Sequence, residues 1–238
     1  KTTFRIINGS FILNDTEVFE NLSAAVNAIP NGGAGVITVA MGTYTEAENF
    51  NVVIENKKVT IRPKDHSYEP VIFSADSQKE FLLEAKQNSQ LIMEDIIITG
   101  QFSTEALFLN NAMGIISDCE FYNIKNKYDE PGTPIRAHHS EITVNDCTFE
   151  SNGGVAFGYE TNANVNDCTF TSNNGEDEGG AIYAGSSANL AVTGSKFTLN
   201  KAKYNGGAIY ACNLTVQDSE FTLNSAAWGG AVYIGYGW

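Results

Sequence analysis

The stretch FTLNKAKYNGGAIYACNLTVQDSEFTLN, residues 197–224, begins and ends with the same four letters. Two glycines followed by AIY, and then the alternating run NLTVQ, separate the two FTLN copies. The letters GGAIY also occur at 179–183, GGAVY at 229–233 and a looser copy, GGVAF, at 153–157. A motif that recurs every roughly 20–30 residues is typical of repeat architectures, so it indicates structure before chemistry.

An FxxN motif marks one position in each repeat. Clear copies read FESN, FTSN, FTLN and FTLN, and a degenerate copy, FYNI, precedes them. The aligned phenylalanines are Phe121, Phe149, Phe170, Phe197 and Phe221, separated by 28, 21, 27 and 24 residues. The aligned asparagines are Asn152, Asn173, Asn200 and Asn224. Each repeat continues through a loop of variable length to the GG motif, a turn and an alternating strand.

This unit of short strands predicts an all-β fold: a right-handed parallel β-helix, or solenoid, with three strands in each coil. Each strand would pair with its equivalents about 4.8 Å above and below, so that equivalent side chains form ladders. By the strand period of two, Ser219, Phe221 and Leu223 are expected to face the interior. The asparagine of FxxN is expected to stack at a turn, where it satisfies backbone groups and tolerates left-handed geometry.

Cys119, Cys147 and Cys168 share one register, two residues before the phenylalanine. They would stack about 5 Å apart, within the range for a disulfide, but side chains in register point the same way and suit a bridge poorly. Ser195 and Ser219 continue the ladder, which indicates a small side chain at this position. We therefore predict buried free thiols.

A single β-helix domain over 1–238 accommodates the whole pattern. Its regular repeats cover 118–238, and the first half follows the same scheme less regularly, with Ile98 at the phenylalanine position. We expect roughly eight or nine coils of 20–25 residues. Upstream, the apolar spacing over 16–29 predicts an amphipathic helix. Because a solenoid exposes an apolar end, this helix is expected to cover it.

The helix has candidate start and stop signals. Asp15 or Thr16 is expected to cap its start, and Pro30 with the following glycines is expected to end it. At the other end of the chain, YIGYGW at 233–238 shows no comparable cap. The terminal aromatics, or a stacked second subunit, are the alternatives for covering that end.

Charge excludes two classes of partner. The chain has 14 Lys+Arg against 28 Asp+Glu, a net charge of −14, and no basic run. Nucleic acids and anionic membranes are therefore disfavoured, because binding to phosphates requires clustered cations. No apolar run approaches the roughly 20 residues that a membrane span needs, so direct insertion of this segment is not expected. Sequons begin at Asn8, Asn14, Asn21 and Asn213, and would carry glycans in a eukaryotic secreted protein.

The alternation of FxxN and GGA[ILV] resembles the repeat of the chlamydial polymorphic outer membrane proteins, which is also found in other bacterial, archaeal and protist surface proteins. The similarity covers 118–238. It implies a surface-exposed passenger domain that serves in adhesion or as a structural stalk, outside the cell or on its surface. The first half, with GVITVAMGTYTE and KKVTIRPKD, resembles the start of pectin-lyase-like right-handed β-helices. This second likeness implies the fold and no catalytic residue.

The best catalytic candidate is the segment 125–141. It contains Asp129, Glu130, Arg136, His138 and His139. Aligned with GGAIYA, its GTPIRA puts Arg136 at the tyrosine position, whereas the two acids belong to a loop on another edge of the coil. Adjacent carboxylates rarely flank a scissile bond, so we predict a solvated loop and assign no catalytic residue.

The acidic loop GEDEGG carries Glu176, Asp177 and Glu178. Several carboxylate oxygens could bind Ca²⁺, but the spacing matches no defined calcium loop. A solvated acidic loop is the preferred interpretation, calcium is the alternative, and no other cofactor is expected.

The longest loops all lie between FxxN and the GG strand. They carry Tyr128, Tyr204 and Trp228, with Lys127 and Lys203 next to the tyrosines. Insertions on one edge of a solenoid are often its binding surface, and exposed aromatics can stack on sugars or contact a protein. Local packing of these rings over their own coils is the alternative.

Together these features favour a non-enzymatic extracellular or cell-surface module, either adhesin-like or structural. Its ligand would be a protein or carbohydrate on a cell surface. One alternative is a polysaccharide lyase or hydrolase of the pectin-lyase-like group. A second alternative is a subunit that stacks end to end with itself in an extracellular fibre.

Overall fold

Parallel strands that pair from coil to coil build the molecule. The computed structural model describes residues 10–65 and 70–235. Eight strands from successive coils pair in one sheet. A second sheet of 16 strands contains two further rows, which are joined through long strands that belong to both rows. These three rows are the walls of a solenoid of about eight coils, as the repeat predicts. We name the walls the Phe face, the GG face and the polar face.

The Phe face consists of Gly42–Tyr44, Val71–Lys79, Ile96–Phe102, Glu120–Lys125, Thr148–Glu150, Thr169–Thr171, Lys196–Thr198 and Glu220–Thr222. The GG face consists of Val52–Glu55, Leu83–Lys86, Glu105–Asn110, Thr133–His138, Val155–Gly158, the first parts of Ile182–Thr193 and Ile209–Gln217, and Val232–Ile234. The polar face consists of Ala34–Val39, Lys58–Pro63, Gln90–Glu94, Met113–Ser117, Glu141–Asn145, Asn162–Asn166 and the second parts of the same two long strands.

The N-terminal end differs from the prediction. The helix spans Leu22–Ala28 only, and the strands Phe11–Leu13 and Glu17–Phe19 form an antiparallel hairpin before it. The prediction of a helix over 16–29 was therefore wrong in its first turns. Two consecutive residues at positive φ, Asn14 at 50° and Asp15 at 60°, form the hairpin turn instead of a helix cap. Such residues tolerate left-handed geometry, which favours a tight turn between strands.

The helix cap is Asn21, whose side-chain oxygen accepts a hydrogen bond from the backbone N–H of Ala24. Leu22, Ala25 and Val26 are buried against the first coil. Apolar packing at this end of the solenoid therefore involves the helix, as predicted from its amphipathic spacing. A three-residue 3₁₀ turn, Ala47–Asn49, supports the helix, because the Asn49 side chain accepts a hydrogen bond of 2.9 Å from the backbone N–H of Leu22.

Phenylalanine forms one continuous column inside the Phe face. Phe121, Phe149, Phe170, Phe197 and Phe221 pair in register, and Ile98 occupies the same position one coil earlier. Neighbouring rings lie 4.7–4.9 Å apart and nearly parallel. The cysteine column runs beside it: Cys119, Cys147 and Cys168 are buried and unbridged.

The asparagine of FxxN is itself not left-handed. Positive φ angles occur one residue earlier, at Ser151, Ser172, Leu199 and Leu223. This turn breaks the strand period, so Leu223 points outward and is 75% exposed, in contrast to the predicted interior position. The asparagines stack inside the turn, where the side-chain oxygen of Asn173 accepts a hydrogen bond of 3.0 Å from the backbone N–H of Asn152.

The GG motif is an element of coil stacking. Gly206 has a φ of 63°, which favours glycine, and a Cβ on Gly207 would collide with the carbonyl oxygen of Gly230 in the next coil. The strand register also aligns the looser copy GGVAF with the other copies. Val155 pairs with Ile182, although Val155 directly follows its two glycines whereas Ala181 separates Ile182 from its own. Val155, Ile182, Ile209 and Val232 therefore form one column on the GG face.

Candidate functional site

The loops between the Phe face and the GG face form an ordered edge of the solenoid. We define the loop edge as residues 125–132, 174–179, 201–206 and 225–229. Short strands Asn174–Gly175 and Lys201–Ala202 pair in parallel, and single bridges join Glu178 to Asn205 and Asn205 to Trp228. In its last coils the loop edge is therefore a fourth ladder with the same stacking as the three walls.

The predicted aromatic residues lie on this edge with their rings open to solvent. Tyr128 is 70% exposed, Trp228 61% and Tyr204 41%. The ammonium group of Lys127 lies 5.0 Å from the Tyr128 ring centroid, and that of Lys203 lies 4.6 Å from the Tyr204 ring centroid. The lysine beside each tyrosine thus covers part of one ring face by a cation–π contact, and both tyrosines remain exposed.

Tyr204 and Trp228 lie in adjacent coils, whereas Tyr128 is separate. The backbone N–H of Trp228 donates a 2.8 Å hydrogen bond to the carbonyl oxygen of Tyr204, which fixes the two loops against each other. Tyr128 is three coils away, roughly 14 Å at the usual strand spacing. Its own loop is closed by Asn126, whose side-chain oxygen accepts hydrogen bonds from the backbone N–H groups of Tyr128 and Glu130.

An open trough of about 470 Å³ runs along the same edge. Its lining residues are Asn174, Glu176, Lys201, Ala202, Lys203, Ser225, Ala226 and Ala227. The floor is small and apolar, and charges of both signs line the sides. Small floor residues leave room for a ligand side chain beside the aromatic pair.

The carboxylates of Glu176, Asp177 and Glu178 do not converge on one point. The Glu178 carboxylate accepts a hydrogen bond from the Asn205 side chain, and the Asp177 backbone carbonyl accepts one from the backbone N–H of Tyr204. Across residues 10–65 and 70–235, no three His, Cys, Asp or Glu side chains form a group that could hold a metal ion. Calcium binding at Glu176, Asp177 and Glu178 stays a prediction from the sequence.

A second cluster of ionisable groups lies on the GG face. The Arg136 Nε donates a 2.9 Å hydrogen bond to the carboxylate of Glu105, which is 6% exposed. Burial raises the pKa of Glu105, and the nearby Arg136 opposes that shift. Burial also lowers the pKa of His138, with contributions from Arg136 and His139. Sequence reasoning missed Glu105, because FSTEALF carries no GG motif to mark its strand as an equivalent of GTPIRA.

The other ionisable residues of the candidate segment 125–141 have different partners. Asp129 pairs with Lys125 at 3.4 Å on the loop edge, away from Arg136. His139 lies 3.6 Å from the Glu160 carboxylate at the corner between the GG face and the polar face. The segment therefore extends over the loop edge, the GG face and the following corner. Asp129 and Glu130 do not lie beside His138 and His139.

The sequons occupy different environments. The Asn14 side-chain oxygen accepts a hydrogen bond from the backbone N–H of Val36, Asn21 caps the helix, and Asn213 is exposed on the polar face. Asn8 lies outside the described residues, as do 236–238 with their terminal aromatics. Glycosylation of these sites stays a prediction.

Comparison with known proteins gives one family. The model of the right handed beta helix region matches residues 42–197 and 81–237, which together cover most of the chain. This match agrees with the coil stacking and with the predicted handedness. Neither the curated proteins nor the solved structures include a significant match. In the part of the chain that the structure describes, no helix is long and apolar enough to cross a membrane.

Proposed function

Because this chain belongs to the right-handed beta helix family, we propose that it is a non-enzymatic, adhesin-like surface module that binds a protein through its loop edge. The family supplies a rigid scaffold and does not specify a ligand. The resemblance of 118–238 to the repeat of polymorphic outer membrane proteins supports a position outside the cell or on its surface. The observation that carries the proposal is the exposure of Tyr204 and Trp228 in adjacent, mutually fixed loops.

The composition of the loop edge favours a protein as the ligand. Tyrosine and tryptophan are the residues most enriched in the energetic centres of protein interfaces, and charged residues commonly surround them. Here Glu176, Lys201 and Lys203 surround the trough beside the aromatic pair. Tyr128, three coils away, extends the aromatic surface farther than one sugar ring would need.

Binding of the fluorescently labelled chain to cultured cells tests this proposal. We expect the double variant Tyr204→Ala, Trp228→Ala to bind at least tenfold more weakly. Tyr159→Ala is the matched control, because Tyr159 is 66% exposed on a different corner. Removal of surface proteins by trypsin should abolish binding. Binding that survives trypsin and is lost after glycosidase treatment would replace the protein ligand with a carbohydrate.

One observation favours polysaccharide cleavage as a second candidate function. Glu105, with its raised pKa, accepts a hydrogen bond from Arg136 on a solenoid wall, and His138 follows Arg136 on the same strand, so an acid and basic groups share one wall. Incubation with a panel of neutral and acidic polysaccharides measures this activity directly. Cleavage that Arg136→Ala abolishes, with folding intact by circular dichroism, would establish an enzyme and displace the adhesin proposal.

A further inference from the structure

The polar face changes character along the solenoid. Its outward positions in the earlier coils include charged residues, among them Lys58, Arg62, Glu94 and Glu141. The outward residues of its last three coils carry no charge. These nine residues, which we name the amide array, are Asn162, Asn164, Asn166, Asn189, Ala191, Thr193, Asn213, Thr215 and Gln217. A chain with 42 charged residues (14 Lys+Arg and 28 Asp+Glu) thus has an uncharged block on one wall.

Two pairs of amides in this region are joined by hydrogen bonds along the solenoid axis. The Asn189 side chain donates a 2.8 Å hydrogen bond to the side-chain oxygen of Asn162. In a parallel column, Asn166 donates one of 2.9 Å to the side-chain oxygen of Asn145. An asparagine amide has two N–H donors and an oxygen with two lone pairs, so each of these contacts leaves polar capacity directed away from the column. Groups that are already oriented lose less entropy when a ligand binds.

A shallow trough of about 250 Å³ lies between the columns and spans all three coils. Asn162, Asn164, Asn189 and Asn213 line it, together with Thr215. Because equivalent residues recur at about 4.8 Å along the axis, a ligand with a similar repeat can make the same hydrogen bonds in each coil. One sugar unit of an extended β-linked polysaccharide has a similar length.

Charge selects among polymers. Asp167 and Asp218 occupy exposed turns at the border of the amide array. They would repel an anionic chain, whereas the uncharged array can form hydrogen bonds with a neutral one. We propose that the amide array binds a neutral, extended β-linked polysaccharide along the solenoid axis. This surface is distinct from the loop edge and does not depend on its function.

Retention on microcrystalline cellulose and on chitin tests the proposal, with polygalacturonate beads as the anionic comparison. We expect retention on at least one neutral polymer and not on polygalacturonate. Ala191→Lys, which places a charge at the centre of the array, should reduce retention at least tenfold. Thr60→Lys is the matched control, since Thr60 holds the equivalent outward position in an early coil, and should bind as the wild type does.

Folding and the loop edge are checked separately. Circular dichroism and thermal unfolding show whether Ala191→Lys is folded. Ala191→Ser changes the same position without adding a charge and should retain binding. The Tyr204→Ala, Trp228→Ala variant should be retained as the wild type is, which separates this proposal from the adhesin proposal. Absence of retention on both neutral polymers would overturn the inference, and so would equal retention on polygalacturonate or an equal loss in Thr60→Lys.

Discussion

The side-chain nitrogen of Asn173 donates a 2.9 Å hydrogen bond to the backbone carbonyl oxygen of Phe149, one coil earlier. Asn200 makes the same contact with Phe170, and Asn224 with Phe197. The two recurring residues of each FxxN unit therefore have different roles: the phenylalanine stacks with its neighbours, while the asparagine side chain forms a hydrogen bond with the backbone of the preceding coil. This relationship explains why the letters repeat together although the intervening loops vary in length.

Replacement of Asn173 by alanine is expected to destabilise the protein by about 3 kcal/mol, because buried backbone groups of Phe149 and Asn152 lose their partners. Urea unfolding followed by circular dichroism measures the change. Asn164→Ala, an exposed asparagine on the polar face, should change the unfolding free energy by less than about 0.5 kcal/mol. Equal effects of the two substitutions would contradict the assigned role of the buried turn.

Leu199→Asn is expected to stabilise the protein by about 1 kcal/mol. Leu199 has a φ of 58° and is 51% exposed, so it bears the cost of left-handed geometry without compensating burial. Asparagine tolerates this geometry better. Thr198→Asn, at the neighbouring strand position, should give no such gain in thermal unfolding. A loss of stability in Leu199→Asn would show that the leucine side chain makes a contact that outweighs its backbone strain.

Thiol reactivity should separate the cysteines into two groups. A hydrogen bond with Cys119, followed by burial, raises the pKa of Cys147, and the corresponding contact with Cys147 together with burial raises that of Cys168. Only the thiolate reacts readily, so these thiols should resist Ellman's reagent in the native state. Cys212 is partly exposed and should react first. Rapid reaction that persists in Cys212→Ala would contradict the buried column.

The sequence predicted the repeating columns because each coil repeats the same local physics. Apolar residues at a fixed register, such as Phe170 and Phe197, can pack in only one way once the coils stack. The direction of Leu223 could not be predicted by the period of two, since a left-handed turn at that residue interrupts the strand. The hairpin around Asn14 was not predicted for a similar reason. A left-handed turn at Asn14 and Asp15 starts a second strand where the amphipathic spacing predicted the first turn of a helix.

The candidate surfaces were predictable to different degrees. Repeat alignment located Tyr204 and Trp228 on one edge, but only the backbone bridges reveal that their loops are stacked. The Glu105–Arg136 pair was not predictable, because Glu105 lies in a strand without a GG motif and its partner is 31 residues away. The amide array required the register of three coils, which no single strand displays.

The buried Glu105 predicts a dependence of stability on pH. Burial raises its folded-state pKa above the ordinary value of 4.5, so between these two values the native protein binds more protons than the unfolded chain. The free energy of unfolding contributed by this group therefore falls as pH rises through that interval, by at most about 1.4 kcal/mol per pH unit. Glu105→Gln removes this contribution, so its stability relative to the wild type should increase from about pH 4.5 upward and then level off.

Urea unfolding of both proteins across this pH range measures the difference. Arg136→Gln supplies a second comparison, because loss of the guanidinium leaves the effect of burial unopposed and should extend the decline to higher pH. If the wild type gains stability relative to Glu105→Gln as pH rises, the slope of the unfolding free energy with pH has the opposite sign to the one expected. Such a result would mean that the ion pair with Arg136 outweighs burial, and that Glu105 acts as a stabilising carboxylate.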